Sequence, residues 1–250
     1  MITKITLLII GSIVGFLSGL LGKGGSSITT PALQIFTGMN PFYALASPLP
    51  ATLPTTISAS LVYRKKELIN QRVVVSCILL GIPATWAGSF FSHWLGGHVL
   101  MILTAIFVAS LGLSFFIFPD KNKDSGNEPI PFWKIALVAL PVGFLSGLLA
   151  NSGGVMFGPL FIRFLKMPTK AALASSLIVA AGLSIPGTIA HWYLGHIDWH
   201  VVLQLSISSI PFSYLGANVA LRINNKLLER IFGSMLILFG SFDLWYSITH

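Results

Sequence analysis

The chain has 250 residues, of which 54% are hydrophobic and only 9% are charged. A soluble domain carries about 25% charged residues, so this chain lacks the polar surface of a soluble protein and fits the membrane class. The net charge of +8 comes from short basic clusters between apolar runs, a distribution that fits cytoplasmic loops and argues against nucleic-acid binding. The single cysteine, Cys77, lies inside an apolar run, where we expect a small buried hydrophobe.

Eight apolar stretches follow one another along the chain, each close to the roughly 20 residues that a helix needs to cross the hydrocarbon. They cover approximately 4–21, 44–63, 73–93, 98–118, 132–149, 172–191, 201–221 and 228–246. The segment 24–63 has no Asp, Glu, Lys or Arg, and as one helix it would be about 60 Å long, twice a bilayer core. We therefore expect 26–38 and its counterpart 154–166 to lie in the membrane too, as short fifth crossings or as re-entrant hairpins.

The two halves of the chain are copies of one unit. When the sequence is laid on itself so that position 15 falls on position 143, the halves match without a gap, and GFLSGLL at 15–21 recurs at 143–149. Pro31 falls on Pro159 in the same alignment, which we call the repeat register. We predict a single transmembrane domain over 1–250, in which repeat one spans 4–118, a polar linker spans 119–131 and repeat two spans 132–246.

The distribution of lysine and arginine predicts the orientation. If only the eight long stretches cross, the basic residues divide almost evenly between the two faces, against the positive-inside rule. If 26–38 and 154–166 also cross, every lysine and arginine except Lys4 lies on one face. An odd number of crossings inverts the second repeat relative to the first. We predict an all-α polytopic membrane protein with 8–10 membrane helices, five segments in each inverted repeat, and both termini outside.

Each repeat has a glycine-rich break after its first helix, GKGGSS at 22–27 and ANSGG at 150–154. Glycine permits positive φ, and a proline soon after it suits the first turn of a new helix. A new helix N-terminus presents unpaired N–H groups and the positive end of the dipole, which together bind anions. Transporters often place their substrate site at broken helices of two inverted repeats. The predicted substrate-binding residues are Lys23, Gly24, Gly25, Ser26, Ser27, Asn151, Ser152, Gly153 and Gly154.

Other functions for some of these residues stay open. Lys23 is either a lysine whose ammonium group reaches the cytoplasmic surface or a counter-charge for an anion. The glycines of the breaks could serve helix packing alone. We expect packing to be the main function of the GxxxG pairs Gly15–Gly19 and Gly143–Gly147.

At these motifs the chain resembles the TauE/SafE family of sulfite and organosulfonate exporters. The resemblance is carried by GFLSGLLG at 15–22, Gly24, Gly25 and Pro31, and by the second copy ending in Gly153, Gly154 and Pro159. It covers essentially the whole chain and implies a bacterial inner-membrane transporter for small anions such as sulfite or sulfoacetate. Lys23 and the pair Asn151–Ser152 depart from the usual pattern, and there we expect substrate choice to differ.

The resulting prediction is a transporter that exports a small anion by alternating access, with the lipid bilayer as its surroundings. The alternatives are a channel or uniporter for a different small solute, a membrane enzyme, and a structural or sensory protein. We expect no enzyme activity, cofactor or metal. The interior-negative potential favours anion export by about 2.3 kcal/mol per charge and 100 mV, and the sequence shows no dedicated proton relay. We expect His191, His196, Asp198 and His200 to be exposed at the outer interface.

Overall fold

The computed structural model describes residues 2–22, 26–92, 94, 97–117, 130–149 and 153–249. In these ranges every regular element is an α-helix. The helices are α1 (Ile2–Leu21), α2 (Ser26–Thr37), α3 (Pro41–Ala46), α4 (Pro48–Arg64), α5 (Gln71–Ser92), α6 (Gly97–Ile117), α7 (Phe132–Leu148), α8 (Gly154–Arg163), α9 (Thr169–Tyr193), α10 (Trp199–Arg222) and α11 (Asn225–Thr249).

Prolines and short polar side chains set the beginnings of several helices. The Asn40 side chain accepts a hydrogen bond from the Phe42 amide at the start of α3, and Asp198 accepts from the first amides of α10. Such caps satisfy amides that have no partner within the helix. Only Ser47 separates α3 from α4, because Pro48 has no N–H to continue the hydrogen bonding of α3.

Helix starts recur in the repeat register. The first residues of α8, α9, α10 and α11 fall on the first residues of α2, α3, α5 and α6. Helix α9 therefore corresponds to α3 and α4 together, and α7 corresponds to α1.

The two halves interleave. Helix α1 of the first half packs along α10 of the second, and α7 packs along α5. Helices α4 and α9 contact each other between these pairs, and α6 packs on α11. A Cβ atom at Gly19 would lie 2.0 Å from the Ser213 carbonyl oxygen, and one at Gly147 would lie 1.9 Å from that of Thr85. These two glycines therefore bring helix backbones together, as small residues do in membrane proteins.

The outer surface of the helices is apolar. Large side chains such as Leu79, Phe90 and Leu203 are mostly exposed, which in water would be unfavourable over so large an area. Trp192 and Tyr193 are exposed at the end of α9, where aromatic side chains favour the membrane interface. In the part of the chain that the structure describes, three helical segments are long and apolar enough to cross a membrane, namely Lys4–Leu21, Gln71–Ser92 and Thr169–Tyr193. The protein is thus a multi-pass helical membrane protein.

Helices α2 and α8 are short. They contain 12 and 10 residues, so they are about 18 and 15 Å long, roughly half a bilayer core. They lie within the predicted short segments 26–38 and 154–166. Almost all residues of α8 are buried in the protein, where its backbone is shielded from lipid.

Candidate functional site

The structure describes the helices that follow the two breaks, but only part of the breaks themselves. Lys23, Gly24, Gly25, Asn151 and Ser152 lie outside the described residues. Ser26 and Ser27 form the first turn of α2, and Gly153 and Gly154 stand at the start of α8.

Gly153 has the backbone conformation expected at a break. Its φ is +72°, a left-handed value that glycine adopts without strain. Its carbonyl accepts from the Met156 and Phe157 amides, both at 2.9 Å. A Cβ atom at Gly153 would lie 2.9 Å from the Phe157 ring. The chain therefore turns sharply into α8, and the Phe157 ring covers this turn.

At the other break, Gly22 makes a left-handed turn directly after the end of α1. Its φ is +65°, and a Cβ atom there would lie 2.6 Å from the Leu173 backbone in α9. The Ser176 hydroxyl of α9 donates to the Gly22 carbonyl at 2.7 Å. The end of α1 is thus held against α9, a helix of the opposite half.

A buried side chain contacts the last turn of the helix before each break. The Tyr63 hydroxyl donates to the Gly19 carbonyl at 3.0 Å, and His191 Nε2 lies 3.5 Å from the Gly147 carbonyl oxygen. In the repeat register Tyr63 falls on His191, and Gly19 falls on Gly147. Carbonyls in the last turn of a helix have no intrahelical partner, so both contacts stabilise the helix end.

Hydroxyl groups lie beside the first turn of α2. A cavity of about 20 Å³ is lined in part by Thr29, Thr52, Thr55 and Ser209, and the Thr55 and Ser209 hydroxyl oxygens are 2.5 Å apart. The volume accommodates about one water molecule.

The corresponding position in the second half is apolar. In the repeat register Thr29 corresponds to Phe157, and Thr55 to Leu183. Both apolar side chains are fully buried. At these two positions the first half therefore carries hydroxyl groups and the second half carries apolar side chains.

His191 and His196 form a side-chain pair. His191 is only 3% exposed, so the expectation that it is exposed at the interface is wrong. Its Nδ1 lies 3.3 Å from His196 Nδ1, and the His196 ring stacks on Phe42 of α3 at 4.9 Å between centroids. Helix α9 continues to Tyr193, which places His191 in its last turn against α7.

The other polar residues of this region have separate functions. Asp198 caps α10, and His200 is exposed. Among the described residues, no group of three or more His, Cys, Asp or Glu side chains could hold a metal ion. The spacing of His191, His196 and His200 therefore does not produce a metal site in the described part of the chain.

Sequence reasoning did not select Tyr63, Thr29, Thr55 or Ser209. The alignment of the two halves contained a usable signal for Tyr63, because it pairs Tyr63 with a histidine at the same distance from the repeated motif. The hydroxyl groups carried no such signal, since isolated Ser and Thr residues are common in membrane helices.

Comparison with known proteins gives one family. The model for the sulfite exporter TauE/SafE family matches residues 7–242. The probable membrane transporter protein YunE of Bacillus subtilis (strain 168) is 25% identical over 94% of this chain and 95% of its own length. A probable membrane transporter protein of Xylella fastidiosa (strain 9a5c) is 27% identical, with coverage of 95% and 93%.

A similar relative occurs in an archaeon. A probable membrane transporter protein of Methanocaldococcus jannaschii is 26% identical over 95% of this chain and 94% of its own length. No solved structure matches the chain with statistical significance. Because the family model covers nearly the whole chain, this protein belongs to the TauE/SafE family of membrane transporters.

Proposed function

We propose that this protein exports a small anion, a sulfur oxyanion or an organosulfonate, across the bacterial inner membrane by alternating access. One observation carries the proposal: two short helices, α2 and α8, begin at equivalent positions of the two halves, each at a glycine-rich break. Their N-termini offer unpaired amides and positive dipole ends to an anion. The description of the family as sulfite exporters supports the choice of sulfur-containing anions.

Helix directions support an inverted second repeat. Gly112 of α6 contacts Ile237 of α11, whereas Gly240 contacts Ala109, so these two equivalent helices run antiparallel. An even number of crossings per repeat would make α6 and α11 parallel, and an odd number makes them antiparallel. Five segments per repeat, with both termini outside, agree with this direction and with the positive-inside rule.

The first break is the more favourable place for polar contacts with the anion. Thr29, Thr55 and Ser209 bring hydroxyl groups to the first turn of α2, whereas Phe157 covers the turn into α8. Hydroxyl groups can donate to an oxyanion after rotation about the C–O bond. We infer that α8 contributes backbone amides, and that α2 contributes amides and hydroxyl groups.

Transport with no catalytic step accounts for these features. The curated relatives bear the names of transporters, and we propose no reaction at the breaks. A channel predicts flux that does not saturate with the anion, and a uniporter for a different small solute predicts saturation by that solute and not by these anions.

The test is a flux screen with the purified protein in proteoliposomes, using sulfite, thiosulfate, sulfoacetate, taurine and carboxylate analogues. We expect saturable flux with at least one sulfur-containing anion. Gly25→Leu and Gly153→Leu are each expected to abolish it, and at Gly153 the new side chain would overlap the Phe157 ring.

A leucine at Gly153 also strains the backbone, so Asn151→Ala and Ser152→Ala serve as milder variants. Gly38→Asn is the matched control, since Gly38 also has positive φ but has open space around it, and asparagine tolerates this conformation. Flux of none of these anions by the wild-type protein would overturn the substrate class. Unchanged flux in all four break variants would show that the breaks serve helix packing and not anion binding.

A further inference from the structure

We propose that His191 and His196 together form a proton-binding site that couples anion binding at the second break to pH on the face of the α9–α10 connection. The anion part of this inference rests on the proposed function. The proton site itself rests on the geometry of the two rings and on their counterparts in the other half of the chain.

The pair has hydrogen-bonding partners for one added proton. In the neutral pair, His191 Nε2–H donates to the Gly147 carbonyl at 3.5 Å, and one Nδ1–H is shared between the two Nδ1 atoms at 3.3 Å. One added proton goes to His196 Nε2, because burial disfavours a charge on the His191 ring, and both contacts are kept, with the bond between the two Nδ1 atoms now charge-assisted. A second proton would set one N–H against the other. The pair therefore takes up one added proton.

The equivalent position in the first half cannot do this. There Tyr63 takes the place of His191, and Leu68 takes the place of His196. The backbone is alike, since the Leu68 amide donates to the Tyr63 carbonyl and the His196 amide donates to the His191 carbonyl. Tyrosine holds the helix end by the same contact but stays neutral near pH 7. The structural function thus needs no histidine, and the histidine pair adds a group that can carry a proton.

Among the described residues, the elements around the pair carry few other titratable side chains. The α9–α10 connection and the start of α10 contribute Asp198 and His200, and α3 contributes the exposed Tyr43. The adjoining ends of α5 (89–92) and α7 (144–149) and the start of α4 (48–56) have no titratable side chain, and His93 lies outside the described residues. Glu229 of α11 contacts Thr169, at the opposite end of α9. Asp198, whose carboxylate caps α10, is therefore the acidic group closest in the chain.

The position of the pair explains the coupling. The Gly147 carbonyl belongs to the last turn of α7, directly before the second break. Through Phe42 the pair also contacts α3. A positive charge at this point attracts an anion held at the start of α8. By linkage, the bound anion in turn favours the proton.

The test compares the wild type with a double variant, His191→Tyr with His196→Leu, which copies the side chains of the first half. Flux in proteoliposomes is measured with an alkanesulfonate, whose own charge is constant between pH 5.5 and 8.0. We expect the wild-type KM, measured with anion on the face of the α9–α10 connection, to fall on the order of fivefold from pH 8.0 to 5.5. The double variant should lose this dependence. His200→Gln, an exposed histidine on the same face, is the matched control and should keep it.

A second measurement needs no substrate. The Tm of the purified wild type and the double variant is recorded from pH 5 to 8, because a group that binds protons differently in the folded and unfolded states makes stability depend on pH. We expect the Tm difference between them to change across this range. His191→Gln gives an independent variant if the tyrosine does not fit.

The two measurements separate the possible failures. If the wild type transports none of the anions but the Tm difference varies with pH, the proton site stands and the proposed function fails. If flux occurs with the same pH profile in the wild type, the double variant and His191→Gln, the proton site is overturned while the proposed function stands.

Discussion

Gly147 shows how a single residue determines helix packing in this protein. The Thr85 hydroxyl donates to the Gly143 carbonyl at 3.1 Å, and the Ser89 hydroxyl approaches the Gly147 carbonyl at 3.4 Å. Such contacts between α5 and α7 need backbones in close approach. Without a hydrophobic driving force between helices in lipid, this close packing is a main source of stability.

We predict that Gly147→Ala lowers the free energy of unfolding by about 2–3 kcal/mol, because the new methyl group overlaps the Thr85 carbonyl. Gly187→Ala is the control, since its Cβ would lie 3.5 Å from Leu49 in ordinary contact. The control should keep or raise the Tm, as alanine is the better helix former. Equal Tm values for the two variants would show that the close approach is not needed.

At the scale of elements, two serine hydroxyls connect the halves in the same way. The Asn70 amide before α5 donates to Ser175 Oγ of α9 at 3.0 Å. The Asp198 amide before α10 donates to Ser47 Oγ, between α3 and α4, also at 3.0 Å. The two pairs occupy equivalent positions in the repeat register. Each hydroxyl satisfies an amide at a helix start that its own helix cannot satisfy.

We expect Ser175→Ala and Ser47→Ala each to lower the free energy of unfolding by about 1 kcal/mol, since each removes a partly buried hydrogen bond at a helix start. The matched control is Ser184→Ala. Ser184 is equally buried, but its hydroxyl donates to Ala181 of its own helix. Thermal unfolding of the purified proteins measures the three effects. A loss in the control as large as in the other two would contradict a specific contribution of these bonds.

At the scale of the whole molecule, inversion makes a prediction that a simple duplication does not. Lys65 and Tyr193 are equivalent positions in the repeat register, and both are exposed. In an inverted pair they lie on opposite faces of the membrane, and in a parallel duplication they lie on the same face.

We predict that a membrane-impermeant maleimide labels Tyr193→Cys from outside intact cells, and labels Lys65→Cys only after the membrane is permeabilised. Both variants are made with Cys77→Ala. Cys77 is fully buried, so the unmodified protein should itself react slowly. Labelling of both positions from one side would contradict the inverted topology, and a reversed result would place the termini in the cytoplasm.

Much of the helical arrangement could be predicted from the sequence. Composition excluded a soluble protein, and the apolar stretches located the long helices within a few residues. The segments 26–38 and 154–166 were expected in the membrane, and α2 and α8 lie within them. The division of 44–63 was not predicted. There Ser47 interrupts the helix before Pro48. The sequence did not show this, because a proline within an apolar stretch does not reveal by itself whether it bends a helix or ends one.

The sequence by itself determined the membrane class, the family, the correspondence between the two halves and the positions of the glycine-rich breaks. All of these depend on local composition and on order along the chain. Only the tertiary structure decided that His191 is buried beside His196, that Tyr63 makes the matching contact, and that Phe157 fills the place of Thr29. The physical reason is that these contacts join helices far apart along the chain, as Tyr63 with Gly19 and His191 with Gly147, and no local pattern encodes that approach.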